Sequence, residues 1–446
     1  EMKILIKNGL LVNENKIFES DILVNGELIE KIDKKISSDY ADSVIDCEGS
    51  LILPGIIDDQ VHFREPGFPN KATIYSESRA AVAGGVTSYF EMPNTNPSTT
   101  TLDRLNQKFD IASKSSLANY SFMFGGTNQN IGEIKRLTQN EIPGIKLFLG
   151  SSTGNMLVDD YDLIEELFKI SKVPIVVHSE DDTIINENLE KFKQEYGEEN
   201  LKPEMHAKIR SSIACLKSTK KIISLAKKTN GRLHVFHLST KEEANLFDNQ
   251  KELKNKKITS EVCIHHLSFH DGDYMKKGNL IKWNPSVKTI EDQNVLWDAL
   301  VSDKIDVIAT DHAPHTLNEK NRSYIDCPSG GPLVQHSLYV MYEHFLNGKI
   351  SLEKIVQKMC HNPAILFNIK KRGFLREGFF ADLVILKRDQ NWTINENNIL
   401  YKCGWSPFDG KKISSLITHT FVSGHLAYKN GTFNDNIMGK KIEFCP

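Results

Sequence analysis

Leu51-Ile52-Leu53-Pro54-Gly55-Ile56-Ile57-Asp58-Asp59-Gln60-Val61-His62-Phe63-Arg64-Glu65-Pro66-Gly67 carries an apolar run straight into a set of metal-ligating and carboxylate-binding side chains. The run 51–57 reads as a buried β-strand, and the polar residues follow where that strand ends. In extended chain, side chains two apart point the same way, so Gln60, His62 and Arg64 share a face. That face offers two potential metal ligands and a guanidinium whose paired donors suit a carboxylate. Gln60 is the unusual member, standing where a second histidine would be wanted.

Outward from this segment the same texture repeats. Short apolar strands at 51–57, 86–92, 120–124, 144–149, 174–178, 232–238, 258–263 and 305–310 alternate with helical stretches such as 75–83, 161–170, 206–228 and 290–301. Eight alternations of strand and helix predict an α/β chain folded as a (β/α)8, TIM-like barrel, with a doubly wound open sheet as the competing arrangement. The two ends of the chain look different. Strands at 3–7, 21–25 and 28–32, with Asn8-Gly9 and Asn25-Gly26 as hairpin signals, precede the barrel. Strands at 381–386, 418–422 and 426–428, with turns at Ser423-Gly424 and Asn430-Gly431, follow it. Neither end holds enough apolar residues for a core of its own, so both are expected to pack into one small β-sandwich. The expected division is 1–53 and 378–446 for that sandwich and 54–377 for the barrel.

Bulk properties narrow the function. The 446 residues have 39% hydrophobic and 25% charged content, ordinary for a soluble globular protein. A formal net charge of -3 gives no electrostatic case for nucleic acid or an anionic membrane surface. No apolar run approaches the length of a membrane span, and the N-terminus has no signal-peptide core. Seven scattered cysteines without CxxC pairs fit reduced thiols, hence a cytoplasmic protein.

The residues that carry chemistry fall at the C-terminal ends of the predicted strands, where barrel active sites are built. They are His62 after the first, Glu91-Met92-Pro93-Asn94 on the second and Lys146 in the fourth. His178 ends the fifth, His237 the sixth, Trp283-Asn284-Pro285 follows the seventh, and Asp311-His312-Ala313-Pro314-His315 ends the eighth. A single histidine at a strand end is usually structural. Three histidines and an aspartate at the same end of one barrel converge in space and read as a metal centre. Lys146 is costly as a buried ammonium and shifts toward the neutral amine. Beside two cations such an amine can add CO2, giving a carbamate whose two oxygens bridge the metals.

With these residues in view, the chain resembles the dihydroorotase family of the amidohydrolase superfamily. The resemblance rests on 58–67, 92–94, Lys146, His178, His237, Asn284-Pro285, 311–315 and the continuation 316–320 and 328–332, and covers nearly the whole chain. It implies reversible cyclisation of N-carbamoyl-L-aspartate to L-dihydroorotate in pyrimidine synthesis. It further implies that His178 and His237 hold one Zn(II), that His62 and Asp311 hold another, and that carboxylated Lys146 bridges them. Asp311 would be the general acid and base. Arg64, Asn94 and His315 would grip the substrate α-carboxylate, and Asn284 the amide face of the ring. The family also implies a homodimer and a contact with aspartate transcarbamoylase.

Two departures from the family pattern stand out. Gln60 replaces the first histidine of a His-x-His pair, and amide oxygen is a weaker zinc donor than imidazole. The metal beside His62 and Asp311 is therefore expected to be weakly held, Gln60-ligated or absent, giving one or two zincs per chain. The segment after Trp283 reads Asn284-Pro285-Ser286-Val287-Lys288 rather than Asn-Pro-Pro-Leu-Arg. The rival readings are a hydantoinase or allantoinase on the same barrel, which Arg64 argues against, and a catalytically inactive scaffold subunit. The loop 150–155 is expected to act as a lid or as a plain strand-to-helix connection. His206, His265, His266 and His312 are expected to be structural or exposed, and Glu180-Asp181-Asp182 to be a helix N-terminal cluster.

Overall fold

The computed structural model describes residues 2–138, 140–150 and 155–446. The lid expected at 150–155 therefore lies, for 151–154, outside the described residues.

Eight parallel strands form the barrel. They are β1 (Ile56–Val61), β2 (Val86–Glu91), β3 (Asn119–Phe122, resuming at Phe124–Gly125), β4 (Ile145–Phe148), β5 (Ile175–His178), β6 (Leu233–Val235), β7 (Ile258–Cys263) and β8 (Val307–Ala309). Pairing runs in sequence order, with Tyr89 opposite Tyr120, Ile145 opposite Phe124, Lys146 opposite Val176, Val176 opposite His234, and Val262 opposite Ile308. The ring closes where Val61 bridges His312 and the His62 N–H donates to the His312 carbonyl at 2.6 Å. That closure rules out the open doubly wound sheet.

Strand alternation decides which side chains face inward. Ile145, Leu147, Ile175 and Val177 pack outward in the large core shared with the helices. Val176, Phe236, Ile57, Phe90, Met123 and Val307 pack together inside the barrel. Lys146 and His178 are in phase with the inward set, so they enter the barrel near its C-terminal mouth. At the opposite end, Ile442 and Phe444 of the chain's tail join this inner cluster. The Phe90 and Phe444 rings lie 5.9 Å apart, so the tail plugs the barrel floor.

The β-rich ends of the chain merge into one nine-stranded sheet. Leu51–Pro54 joins them, pairing antiparallel with Leu383–Lys387 so that Leu53 faces Val384. Ile4, Ile6, Ile22, Val24, Ile52, Leu383, Ile385 and Phe421 from both ends share one core, as expected from their individual shortage of apolar residues.

Local details differ from the sequence expectations for identifiable reasons. The strand expected at 51–57 is two strands, with Leu51–Pro54 in the nine-stranded sheet and Ile56–Val61 in the barrel. They part at Gly55, where a Cβ would run into the Thr87 side chain. The helix expected at 206–228 is broken into His206–Ile209 and Ser212–Thr229. Arg210 leaves helical geometry at φ -91° and ψ 71°, and the Ser211 hydroxyl caps the second helix by accepting from the Ala214 N–H. Asn8-Gly9 is a bulge inside Lys3–Asn13 rather than a hairpin turn. The turn falls at Glu14-Asn15, whose φ values of 50° and 61° are those of a two-residue hairpin loop.

Candidate active site

Gln60, His62, Arg64, Asn94, Lys146, His178, His237, Asn284, Asp311 and His315 all line one cavity of about 200 Å3 at the C-terminal mouth of the barrel. Every residue singled out from the sequence for ligand or substrate contact is thus brought to the same place, on or just after seven different strands. Within the cavity His62 pairs with Asp311, and His178 with His237. His62 presents Nε2 to Asp311 Oδ1 at 3.0 Å and Nδ1 to Asn94 Oδ1 at 2.8 Å. His178 Nδ1 lies 3.1 Å from His237 Nε2.

Three of these residues, Arg64 (φ 66°), His237 (φ 36°) and Asp311 (φ 50°), hold left-handed backbone. Such geometry costs a non-glycine residue roughly 1–3 kcal/mol and persists only where surrounding packing fixes it. It ends β6 early, at Val235 rather than 238, and turns the His237 ring back into the barrel.

Lys146 is 1% exposed, with Nζ 4.3 Å from the Phe236 ring centroid and 4.9 Å from that of Phe148. Burial lowers its pKa to about 8, with Asp311 and Glu261 partly opposing the shift. The amine is therefore far easier to deprotonate than a surface lysine. Burial also lowers the pKa of His62 and, with the added repulsion of His178 and Lys146, pushes His237 well below the ordinary range. Both are neutral imidazoles, the state that can donate a lone pair to a metal.

Arg64 and His315 form a corner of the same cavity. Arg64 Nε donates to the Pro314 carbonyl at 3.0 Å, and its NH2 lies 3.1 Å from His315 Nε2. No carboxylate ion-pairs with Arg64 among the described residues. Burial, followed by the charges of Arg64 and Lys71, keeps the His315 ring neutral. Lys71 reaches His315 Nδ1 at 2.8 Å and is itself paired with Glu319.

Several partners escaped the sequence reading. Glu180 is not part of a helix-terminal cluster. Asp181 caps the helix Asp182–Tyr196, while Glu180 is buried 2.6 Å from His178 Nε2 and receives Arg210 NH2 at 2.8 Å. Burial alone would raise the Glu180 pKa, but Arg210 and His178 outweigh it and hold the group ionised. Its spacing from His178 was a usable signal, since residues two apart on extended chain share a face. Arg210 and Lys71 gave none. His206 and His312 are structural, as expected. His206 bonds to the Tyr324 hydroxyl and the Trp283 carbonyl, and His312 lies between Glu77 and the Leu333 N–H. His265 and His266 are also buried.

Beneath the mouth lies a second titratable group. Asp59, His234 and Glu261 are fully buried, with ligand atoms within 4.8 Å of one another, a spacing able to hold a divalent cation. His234 Nε2 is 3.1 Å from Asp59 Oδ2, and Nδ1 is 2.8 Å from the Thr259 hydroxyl. Burial and the neighbouring Asp59 push the Glu261 pKa well up, so a proton on Glu261 also relieves the crowding of charge. Glu261 Oε1 accepts from the His237 N–H at 3.1 Å, which ties this group to the mouth above.

The donor set at the mouth suits zinc. Imidazole nitrogens and carboxylate oxygens are its usual ligands, and Gln60 Oε1 is a buried acceptor with no hydrogen-bond partner among the described residues.

A family model described as the amidohydrolase family matches residues 51–427. The dihydroorotase of Carboxydothermus hydrogenoformans is 33% identical over 436 residues, covering 96% of this chain and 98% of that protein. The dihydroorotase of Fusobacterium nucleatum is 33% identical over 430 residues, covering 95% and 98%. Among solved structures, the L-hydantoinase (dihydropyrimidinase) of Arthrobacter aurescens superposes with a TM-score of 0.93 at 27% identity, over 99% of this chain and 100% of that one. With this coverage, and a (β/α)8 barrel whose mouth gathers histidine, lysine and aspartate, the chain belongs to the amidohydrolase family and is a hydrolase.

Proposed function

We propose that the protein is a dihydroorotase, interconverting N-carbamoyl-L-aspartate and L-dihydroorotate. The observation that carries this reading is Arg64, a buried guanidinium without a carboxylate partner among the described residues, in the same cavity as Lys146, His178, His237 and Asp311. A cyclic amide that bears a free carboxylate supplies the missing counter-charge. The relatives named dihydroorotase support the same reading.

In this account His178, His237 and Lys146 would hold one zinc, Lys146 as its carbamate. Asp311 and His62 would hold a second, more weakly, with Gln60 as a poor third ligand. Zinc held there would supply a water of lowered pKa and a Lewis acid for a carbonyl oxygen. The protein's residues do the rest. The Lys146 amine gains CO2 by forming an N–C bond and losing a proton. Arg64, Asn94 and His315 fix the substrate carboxylate, and Asn284 the ring amide. Asp311 takes the proton of the attacking water and passes it to the ring nitrogen as the C–N bond breaks; ring closure is the reverse. The neutral His315 ring leaves the Arg64 charge free for the substrate.

The fold similarity to L-hydantoinase favours a second reading, a hydrolase of cyclic amides that carry no carboxylate. An inactive scaffold has no use for five ligand residues in one cavity. The division into 1–53 plus 378–446 and 54–377 goes with this reading, as does a cytoplasmic location, which the seven unpaired cysteines support. None of the helices among the described residues is long and apolar enough to cross a membrane. The test is direct: purified protein is supplied with L-dihydroorotate, then with N-carbamoyl-L-aspartate, and the approach to one equilibrium is followed from both sides.

A further inference from the structure

The face of the barrel opposite the active-site mouth holds a larger cavity, of about 690 Å3. It opens at the starts of β5, β6 and β7, between the barrel and the segment that leads back to the nine-stranded sheet. Six cationic residues line it, Arg232, Lys254, Lys256, Lys257, Arg372 and Arg376, and no aspartate or glutamate does among the described residues.

Four of the six are already paired. Lys254 pairs with Glu252 at 3.0 Å, Lys256 with Asp306 at 2.7 Å, Arg372 with Asp382 at 2.6 Å and Arg376 with Glu14 at 2.5 Å. Arg232 and Lys257 are not. The Arg232 guanidinium donates to the Leu366 carbonyl at 2.7 Å and the Lys257 ammonium to the Asn230 carbonyl at 3.1 Å, and neither has a carboxylate partner among the described residues. Arg232 is half-buried, and burial lowers its pKa with nothing acidic to offset the loss of water. A partly desolvated cation whose one hydrogen-bond partner is a carbonyl gains from an anion, so the cavity favours one. An exposed lysine alone would be an ordinary solvated side chain. The half-buried arginine beside it, inside a concavity without acidic groups, is what distinguishes this place from the surface. The chain's net charge of -3 makes a polynucleotide an unsuitable occupant.

We propose that this cavity binds a small, multiply charged anion of the phosphate class, with Arg232 and Lys257 as its direct donors. The planar guanidinium fork matches two phosphate oxygens, and the ammonium adds a point charge. The proposal does not depend on the reaction at the opposite mouth.

The test is calorimetric titration of the full-length protein with inorganic pyrophosphate, for wild type, Lys257→Gln and the double variant Arg232→Gln/Lys257→Gln. Wild type should bind saturably at one site that Lys257→Gln weakens by about tenfold, the effect of one charge-assisted hydrogen bond. The double variant should bind more weakly still. Lys257 is exposed, so its variant should melt like wild type and remains informative even where Arg232→Gln disturbs the Leu366 contact. Absence of saturable binding at millimolar pyrophosphate would overturn the proposal. So would equal affinity in wild type and Lys257→Gln, since that places the anion elsewhere, including at the catalytic mouth.

Discussion

His178 Nε2 lies 2.6 Å from Glu180 Oε1, and His178 Nδ1 lies 3.1 Å from His237 Nε2. The carboxylate thus fixes the ring so that Nδ1 is the nitrogen turned to His237. Carboxylate–histidine contacts of this kind set the tautomer of a ligating imidazole and raise its basicity.

Replacing Glu180 by Gln should therefore weaken zinc binding by about 10–100-fold without abolishing it. Activity should fall in metal-limited buffer and return when zinc is added in excess. Metal content and rate equal to wild type under limiting zinc would count against the orienting role.

Lys146→Ala should lose activity by three orders of magnitude or more and recover part of it with short carboxylic acids, which can take the place of a carbamate. The same lysine gives a pH dependence. Burial lowers its pKa to about 8, so the reactive neutral amine becomes more abundant as pH rises and makes up half the population near that value. Protein stripped of CO2 should regain activity about tenfold faster per pH unit at fixed dissolved CO2, levelling above pH ~8. A recovery rate independent of pH between 6 and 8 would contradict a carbamate on this residue.

Gln60 provides the third prediction. Its amide oxygen is buried without a partner among the described residues, and imidazole is the better zinc donor. Gln60→His should raise bound zinc toward two per chain, as read by elemental analysis of dialysed protein. Unchanged stoichiometry would mean that the site beside His62 is limited by something other than Gln60.

Asp311 touches His62 and lines the cavity with Gln60, Lys146, His178 and His237. Asp311→Asn keeps the shape but cannot accept the proton, so turnover should drop by about 10²–10⁴-fold while the circular dichroism spectrum is preserved. A variant with near-normal rate would remove Asp311 from the chemistry.

The barrel was legible because eight apolar strands recur with helical stretches between them, and the candidate site because its histidines, lysine and aspartate sit at or near strand ends. Lys146 and His178 could be placed inward from alternation alone. Other features were set by long-range contacts that carry no local signal. Gly55 ends a strand because Thr87 packs against it, and Arg210 leaves helical geometry on its way to Glu180. The Asp59–His234–Glu261 group was overlooked because its members lie mid-strand on three separate strands, where a polar residue is normally read as a local exception. Glu180 was misread because a neighbouring aspartate, Asp181, does cap the following helix.

The claim that Arg64 selects a carboxylate-bearing cyclic amide is tested most directly by one comparison. The specificity constant kcat/KM is measured for L-dihydroorotate, hydantoin and allantoin on wild type and Arg64→Met. Wild type should prefer L-dihydroorotate, and Arg64→Met should lose about 100-fold on that substrate, as for a buried charge-assisted pair of ~3 kcal/mol, with little change on the neutral rings. A zinc-loaded wild-type protein that prefers hydantoin, or an Arg64→Met protein that keeps full activity on L-dihydroorotate, would contradict the account.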